Sequence, residues 1–174
     1  MPAITYIPIA TTTLGSDQAS ITFSGISTAY TDLRLIVQSG ISNSSFNTRM
    51  RLNSDTNNNY GPKYAYTPGS GTPTGGNGVS VNGITFEPSG GGQRTPCVFH
   101  IYDFLNYNAT SLTKNFIGNI YYNANVTDGT FGYVGFNGGV WQNTSSGLNA
   151  ISVVPTSGNM ASGSTATIYG ILRE

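Results

Sequence analysis

Short runs in which apolar and polar residues alternate recur along this chain of 174 residues, and Gly or Pro interrupts almost every stretch of ten. Apolar residues do not recur at the three- and four-residue steps of an amphipathic helix over any long window. Alternation with a period of two is typical of a strand that buries one face. The predicted strands are Ile4–Ile9, Ser20–Phe23, Asp32–Gln38, Thr48–Asn53, Lys63–Tyr66, Val79–Glu87, Cys97–Leu105, Asn115–Tyr122, Phe131–Val140, Leu148–Val154 and Thr165–Leu172.

This alternation predicts antiparallel pairing, because the strands of a buried parallel sheet would be continuously apolar. The number and spacing of the runs predict an all-β protein, an antiparallel β-sandwich and specifically a jelly roll of about 8–10 strands. The final run is expected to complete one of the sheets. A single domain is predicted over residues 1–174, with long Gly/Pro-rich loops around 67–78 and 88–96. Such loops either reach a neighbouring subunit or are plain surface excursions.

Two arginines occupy alternate positions of the predicted strand Thr48–Asn53. Met50 and Leu52 are expected to face the core, which places Arg49 and Arg51 together on the opposite face. Two cations on one face indicate either a site for an acidic partner surface or a solvated face with cross-strand pairing.

Charge is scarce in this sequence. Charged residues make up only 8% of the chain, and its seven basic and seven acidic residues cancel, whereas an average soluble domain carries about 25%. A free monomer relies on surface charge for solubility, so the composition favours a protein packed against neighbours, or a secreted β-rich protein that binds sugars. No basic patch indicates nucleic acid. No run approaches the roughly 18 apolar residues that span a bilayer, so we expect no membrane partner.

The sole histidine and the sole cysteine, His100 and Cys97, lie three residues apart in one predicted strand. Residues three apart on a strand point to opposite faces, so a nucleophilic Cys–His pair is not expected. One residue of each type cannot build a His/Cys metal cluster. We therefore interpret His100 as a satisfied, partly buried structural histidine and Cys97 as an inert, buried thiol.

The seven acidic residues are scattered along the sequence. Glu87 and Asp103 are the two within strand cores, and their convergence would be needed for a β-sandwich glycosidase, which is the enzymatic alternative. The segment DTNNN at 55–59 lacks the glycine and the distal glutamate of an EF-hand loop, so a turn is expected there. The sequence therefore predicts that the protein is not an enzyme and that it has no cofactor and no metal site.

Tyrosine and tryptophan rings suit both sugar stacking and protein interfaces, because they bring a large contact area at a low cost in entropy. Most rings of this chain are expected to pack in the core or across strands. The candidate interface residues are Arg49, Arg51, Tyr64, Tyr66 and Trp141.

Four segments carry a resemblance to a known family. They are IATTTLGSDQASITFSGI at 9–26, YTDLRLIVQSG at 30–40, MRLNSDTNNNYG at 50–61 and ISVVPTSGNMASGSTATIYGI at 151–171. The third contains the pattern R-[FL]-N-x-D-x-x-x-N-Y, whose matching residues are Arg51, Leu52, Asn53, Asp55, Asn59 and Tyr60. On these segments the chain resembles small β-sandwich virion proteins of tailed bacteriophages, including cyanophages. We interpret the third segment as a fold element, a turn whose side chains bond the backbone.

The resemblance implies a structural role and no catalytic residue. Our first hypothesis is a capsid decoration, or cement, protein on the virion surface that binds the major capsid protein as a homo-oligomer, a trimer at local three-fold axes. The alternative is a tail- or head-fibre module that recognises the host by binding surface polysaccharide through exposed tyrosines and Trp141.

Overall fold

The computed structural model describes residues 6–42, 48–67, 72–78, 81–85, 98–122 and 133–172. These residues form twelve strands and no helix, and every pair of neighbouring strands is antiparallel. The strands are β1 (Tyr6–Thr13), β2 (Ile21–Ser24), β3 (Asp32–Ser39), β4 (Thr48–Leu52), β5 (Tyr60–Thr67), β6 (Thr74–Asn77), β7 (Ile84–Thr85), β8 (Val98–Leu105), β9 (Lys114–Tyr122), β10 (Tyr133–Trp141), β11 (Ala150–Pro155) and β12 (Thr165–Ile171). The prediction of an all-β, antiparallel protein is confirmed.

Two sheets of unequal size build the fold. The large sheet has eight strands in the order β1-β12-β3-β8-β9-β10-β5-β6, and the small sheet has four in the order β2-β11-β4-β7. One hydrophobic cluster contains buried residues from both sheets, so the sheets pack face to face as a β-sandwich. The last strand, β12, lies between β1 and β3 inside the large sheet, as expected. The narrower assignment of a jelly roll stays a prediction.

Some strand boundaries differ from the predicted ones. Strand β1 continues to Thr13, beyond the predicted end at Ile9, because its threonines pair with those of β12. The hydroxyl oxygens of Thr11 and Thr167 lie 3.0 Å apart. The predicted loop around 67–78 contains an additional strand, β6, whereas the loop around 88–96 lies outside the described residues.

The core follows the alternation of the sequence. In β3 the side chains of Leu33, Leu35 and Val37 are completely buried, and in β4 those of Met50 and Leu52 are as well. Full burial of an aliphatic side chain of this size stabilises the folded state by roughly 1.5–3 kcal/mol. The inward orientation predicted for Met50 and Leu52 is thereby confirmed.

The resemblance segment 50–61 forms the corner at which the chain leaves β4 in the small sheet and enters β5 in the large one. Two successive residues, Asn53 and Ser54, have left-handed backbone angles, with φ of 50° and 56°. Asparagine and serine can satisfy such a turn by bonding nearby backbone groups. The Asn53 amide donates to the carbonyl of Gly147 (2.8 Å) and accepts from the Ala150 N–H (3.0 Å). The corner is therefore tied to the segment that enters β11.

The carboxylate of Asp55 is the centre of the corner. One of its oxygens accepts hydrogen bonds from the indole N–H of Trp141 (2.8 Å) and the side-chain amide of Asn59 (2.9 Å). The other accepts from the backbone N–H of Asn57 (2.9 Å). Burial alone would raise the pKa of Asp55, but these hydrogen bonds outweigh it and hold the pKa below its usual value.

A buried tyrosine completes the corner. The hydroxyl of Tyr60 accepts a hydrogen bond from the N–H of Leu52 (3.0 Å) and donates to the carbonyl of Asp55 (3.1 Å). Its ring stacks on that of Trp141 with centroids 6.4 Å apart, and both rings are completely buried. Burial raises the pKa of Tyr60 to about 12, so the hydroxyl stays protonated. The interpretation of this segment as a fold element is confirmed.

The hydrogen bonds to Asp55 are expected to stabilise the folded protein. Asp55→Asn replaces one carboxylate oxygen by an amide donor, so in either orientation at least one of the donors from Trp141, Asn59 and Asn57 loses its acceptor. We expect the free energy of unfolding to fall by about 1–3 kcal/mol. In a double-mutant cycle with Trp141→Phe, the two losses should be non-additive by at least about 0.5 kcal/mol. Urea unfolding of the wild type, the two single variants and the double variant gives the four free energies of the cycle. Asn58→Ala, an exposed residue of the same corner, is the control and should change stability by less than about 0.5 kcal/mol. Additive losses would show that Asp55 and Trp141 act independently.

Candidate functional site

Four large apolar side chains lie side by side on the outer face of the large sheet, the face turned away from the small sheet. Ile117, Tyr121, Val134 and Phe136 are 56%, 44%, 54% and 63% exposed. They belong to the neighbouring strands β9 and β10, where Tyr121 pairs with Val134. We call these four residues the β9–β10 patch.

Strand β10 is the reason for this exposure. It turns Val134 and Phe136 outward, and its buried positions carry Gly135 and Asn137 instead. The inner space is filled from neighbouring strands: the hydroxyl of the buried Tyr102 accepts a hydrogen bond from the Asn137 amide (2.9 Å). Hydrophobicity alone favours the opposite orientation of β10. The outward apolar residues therefore need an explanation beyond folding.

An ion pair borders the patch. The guanidinium of Arg34 on β3 donates two hydrogen bonds to the carboxylate of Asp103 on β8, each 2.7 Å long. The hydrogen bond with Asp103 raises the pKa of Arg34 despite the opposing effect of burial. Asp103 pairs across the sheet with Ile117, Ile117 with Gly138, and Gly138 with Lys63 on β5. The patch thus has charged residues on two sides and none among its four members.

The surface of the patch is shallow. Two open depressions of about 260 and 300 Å³ lie on it, and Ile117 and Phe136 line both. Small-molecule sites are usually deeper, since they bury most of the ligand surface. A broad, shallow, apolar surface is better suited to the face of another macromolecule.

The two candidate arginines are on the small sheet. Arg49 and Arg51 share the outer face of β4, opposite the buried face of Met50 and Leu52, as predicted. Burial and the neighbouring charge of Arg51 lower the pKa of Arg49. The arginines and the β9–β10 patch therefore lie on opposite faces of the sandwich.

The candidate aromatic residues are not brought together with the arginines. Tyr64 and Tyr66 stack on each other with centroids 6.1 Å apart and are half-buried. They share the inward side of β5 with the buried Tyr60. Trp141 is completely buried in the corner, so its assignment as an interface residue was wrong. Its indole satisfies Asp55 instead of meeting a partner.

His100 is completely buried on the core-facing side of β8, beside Tyr102, with the two ring centroids 6.3 Å apart. Burial lowers the pKa of His100 to about 3, so the imidazole is neutral at physiological pH. The ring is therefore in the structural position that we expected, but it is buried completely and not partly. Cys97 and Glu87 lie outside the described residues. Within the described ranges, no three His, Cys, Asp or Glu side chains come close enough to hold a metal ion.

Comparisons of the chain with protein-family models, curated proteins and solved structures found no match. The resemblance to phage virion proteins therefore stays a prediction that rests on the four quoted segments. In the part of the chain that the structure describes, no helix has the length and apolarity needed to cross a membrane.

Sequence reasoning missed the β9–β10 patch. A signal was present, because β9 has apolar residues at both odd and even positions: Phe116 and Ile120 are buried, while Ile117 and Tyr121 are exposed. A strand that is apolar on both faces indicates that both faces are covered by protein. The sequence does not say which face of β9 is turned toward the core, and the structure provides that information.

The burial of His100 is expected to make the stability of the protein depend on pH. The pKa of His100 is 6.5 in the unfolded chain and about 3 in the folded protein. Between these values the unfolded chain binds a proton at His100 that the folded protein does not. Stability should therefore fall as pH is lowered through this window, by about 1.4 kcal/mol per pH unit. Between pH 7 and pH 5, wild type should lose about 2 kcal/mol more than His100→Leu in urea unfolding. Equal losses would mean that His100 takes up its proton over the same pH range in the folded protein as in the unfolded chain.

Proposed function

We propose that this protein is a structural component of a phage virion, a capsid decoration protein that binds the major capsid protein through the β9–β10 patch. The observation that carries the binding role is the patch itself, four neighbouring apolar side chains that are 44–63% exposed. The assignment to a virion rests on the resemblance of the four sequence segments. The proposed site is therefore a protein interface and not a catalytic centre.

The composition of the patch supports a protein partner. Charged residues are depleted at the cores of protein interfaces and aromatic residues are enriched. The patch contains Tyr121 and Phe136 and has no charged member, while Arg34, Asp103 and Lys63 lie around it. Each Å² of apolar surface that a partner removes from water contributes about 25 cal/mol of favourable free energy. Arg34 and Asp103 already neutralise each other, so a partner meets little uncompensated charge at this border.

In this proposal, the bound protein holds neighbouring capsid subunits together by adding buried area between them, which opposes the internal pressure of packed DNA. It acts as a homo-oligomer, a trimer at local three-fold axes. The low charge of the chain, 8% of its residues, suits that role, because desolvating charged groups in an assembly is costly.

The alternative is a fibre module that binds host polysaccharide. The burial of Trp141 removes the largest ring that this alternative relied on. The half-buried, stacked pair of Tyr64 and Tyr66 is the remaining aromatic platform among the candidate residues. This pair and the β9–β10 patch are on different sides of the large sheet, so variants separate the two functions.

The copy number of the chain in purified virions tests the proposal. Quantitative mass spectrometry against the major capsid protein should give hundreds of copies in a simple ratio to that protein. A few to a few dozen copies would favour the fibre alternative. Its absence from virions would overturn both.

A pair of variants tests the surface. Phe136→Asp places a charge in the patch and should weaken binding to heads that lack this chain by roughly 10–100-fold in co-sedimentation, the range of an interface hot spot. Leu112→Asp is the matched control, because Leu112 is 61% exposed, close to the 63% of Phe136, but lies between β8 and β9. The control should bind within about twofold of wild type. Equal binding by wild type and Phe136→Asp would exclude the patch as the surface that binds the capsid.

A further inference from the structure

Among the described residues, no acidic side chain forms an ion pair with the two arginines on the outer face of the small sheet. Arg49 and Arg51 are both half-buried, and the Nε atom of each is buried without a hydrogen-bond partner. The ion pair found among the described residues joins Arg34 to Asp103 on the other sheet. A buried, unsatisfied donor costs about 1–3 kcal/mol, and more when it is charged. Because each Nε is itself closed to solvent while the two residues are only half-buried, an anionic partner would meet the outer parts of the guanidiniums and offset their shared positive charge.

The surroundings are suited to an oxyanion. Across the sheet, Arg51 pairs with Ser152, whose hydroxyl accepts a hydrogen bond from that of Thr22 (3.0 Å). Arg49 pairs with Thr85 on β7, and its aliphatic stem packs directly over Gly83, where a Cβ atom would clash with it. The stem is thereby held in place, and hydroxyl groups line both sides of the arginine pair. Burial, and after it the neighbouring charge of Arg51, lowers the pKa of Arg49.

We propose that Arg49 and Arg51 form a binding site for a carboxylate of an acidic protein segment. A guanidinium offers parallel N–H donors that match a carboxylate, so one or two carboxylates satisfy the pair. That the acidic segment belongs to a capsid protein rests on the proposed function. Because this site and the β9–β10 patch lie on opposite faces of the sandwich, the chain would contact two neighbours at once, which a cement protein requires.

Titration of the isolated protein with glutarate, a dicarboxylate, tests the site. The readout is the set of arginine Nε–Hε signals in a ¹⁵N-resolved NMR spectrum, with sodium chloride at matched ionic strength as the reference. The signals of Arg49 and Arg51 should shift and saturate at roughly millimolar glutarate. The signal of Arg34 is the internal control and should stay in place, because its Nε–H already donates to Asp103. No shift, or equal shifts of all arginine signals, would overturn the proposal.

Variants and a second anion sharpen the result. Arg49→Gln or Arg51→Gln should weaken glutarate binding about tenfold or more. Lys63→Gln removes the same charge from the opposite sheet and should leave binding unchanged. If Lys63→Gln weakened glutarate binding as much as the arginine variants do, the attraction would be nonspecific. If inorganic phosphate bound and glutarate did not, the site would not be a carboxylate site. Phe136→Asp should not affect the titration, so failure of the arginine site and failure of the capsid interface are separate outcomes.

Discussion

The burial of the Trp141 ring, which donates a hydrogen bond from its indole to the carboxylate of Asp55, sets the orientation of β10. Trp141 is the last residue of that strand, and the bond holds its ring inside the corner between β4 and β5. Successive residues of a strand alternate between faces, so burying one residue sets the face of all the others. Gly135 and Asn137 consequently point inward, and Val134 and Phe136 point outward. The anchoring of one ring thus creates half of the exposed apolar patch.

The fold class and the faces of several strands could be predicted because they depend on local alternation. Met50 and Leu52 turn inward while Arg49 and Arg51 turn outward, as the pattern indicates. The role of Trp141 could not be predicted, because it depends on Asp55, a contact 86 residues distant in the chain. An exposed tryptophan and a buried one have the same sequence signature, and only the location of a partner for the indole N–H distinguishes them.

The exposed patch escaped prediction for a related reason. In β10 the outward residues are more apolar than the inward ones, since large rings such as Tyr102 extend from β8 into the space above small residues of neighbouring strands. A Cβ atom added at Gly118, opposite Tyr102, would clash with that ring. Core volume is therefore supplied by a neighbour, which leaves Val134 and Phe136 free to serve another purpose. We attribute that purpose to assembly.

Hydroxyl-radical footprinting of the free protein and of the purified virion tests this account most directly. If a capsid partner covers the patch as proposed, oxidation of Tyr121 and Phe136 should fall several-fold in the virion, while Leu112 should be oxidised equally in both states. Equal oxidation of Phe136 in the free and assembled protein would contradict the account, since the patch would then remain in contact with water.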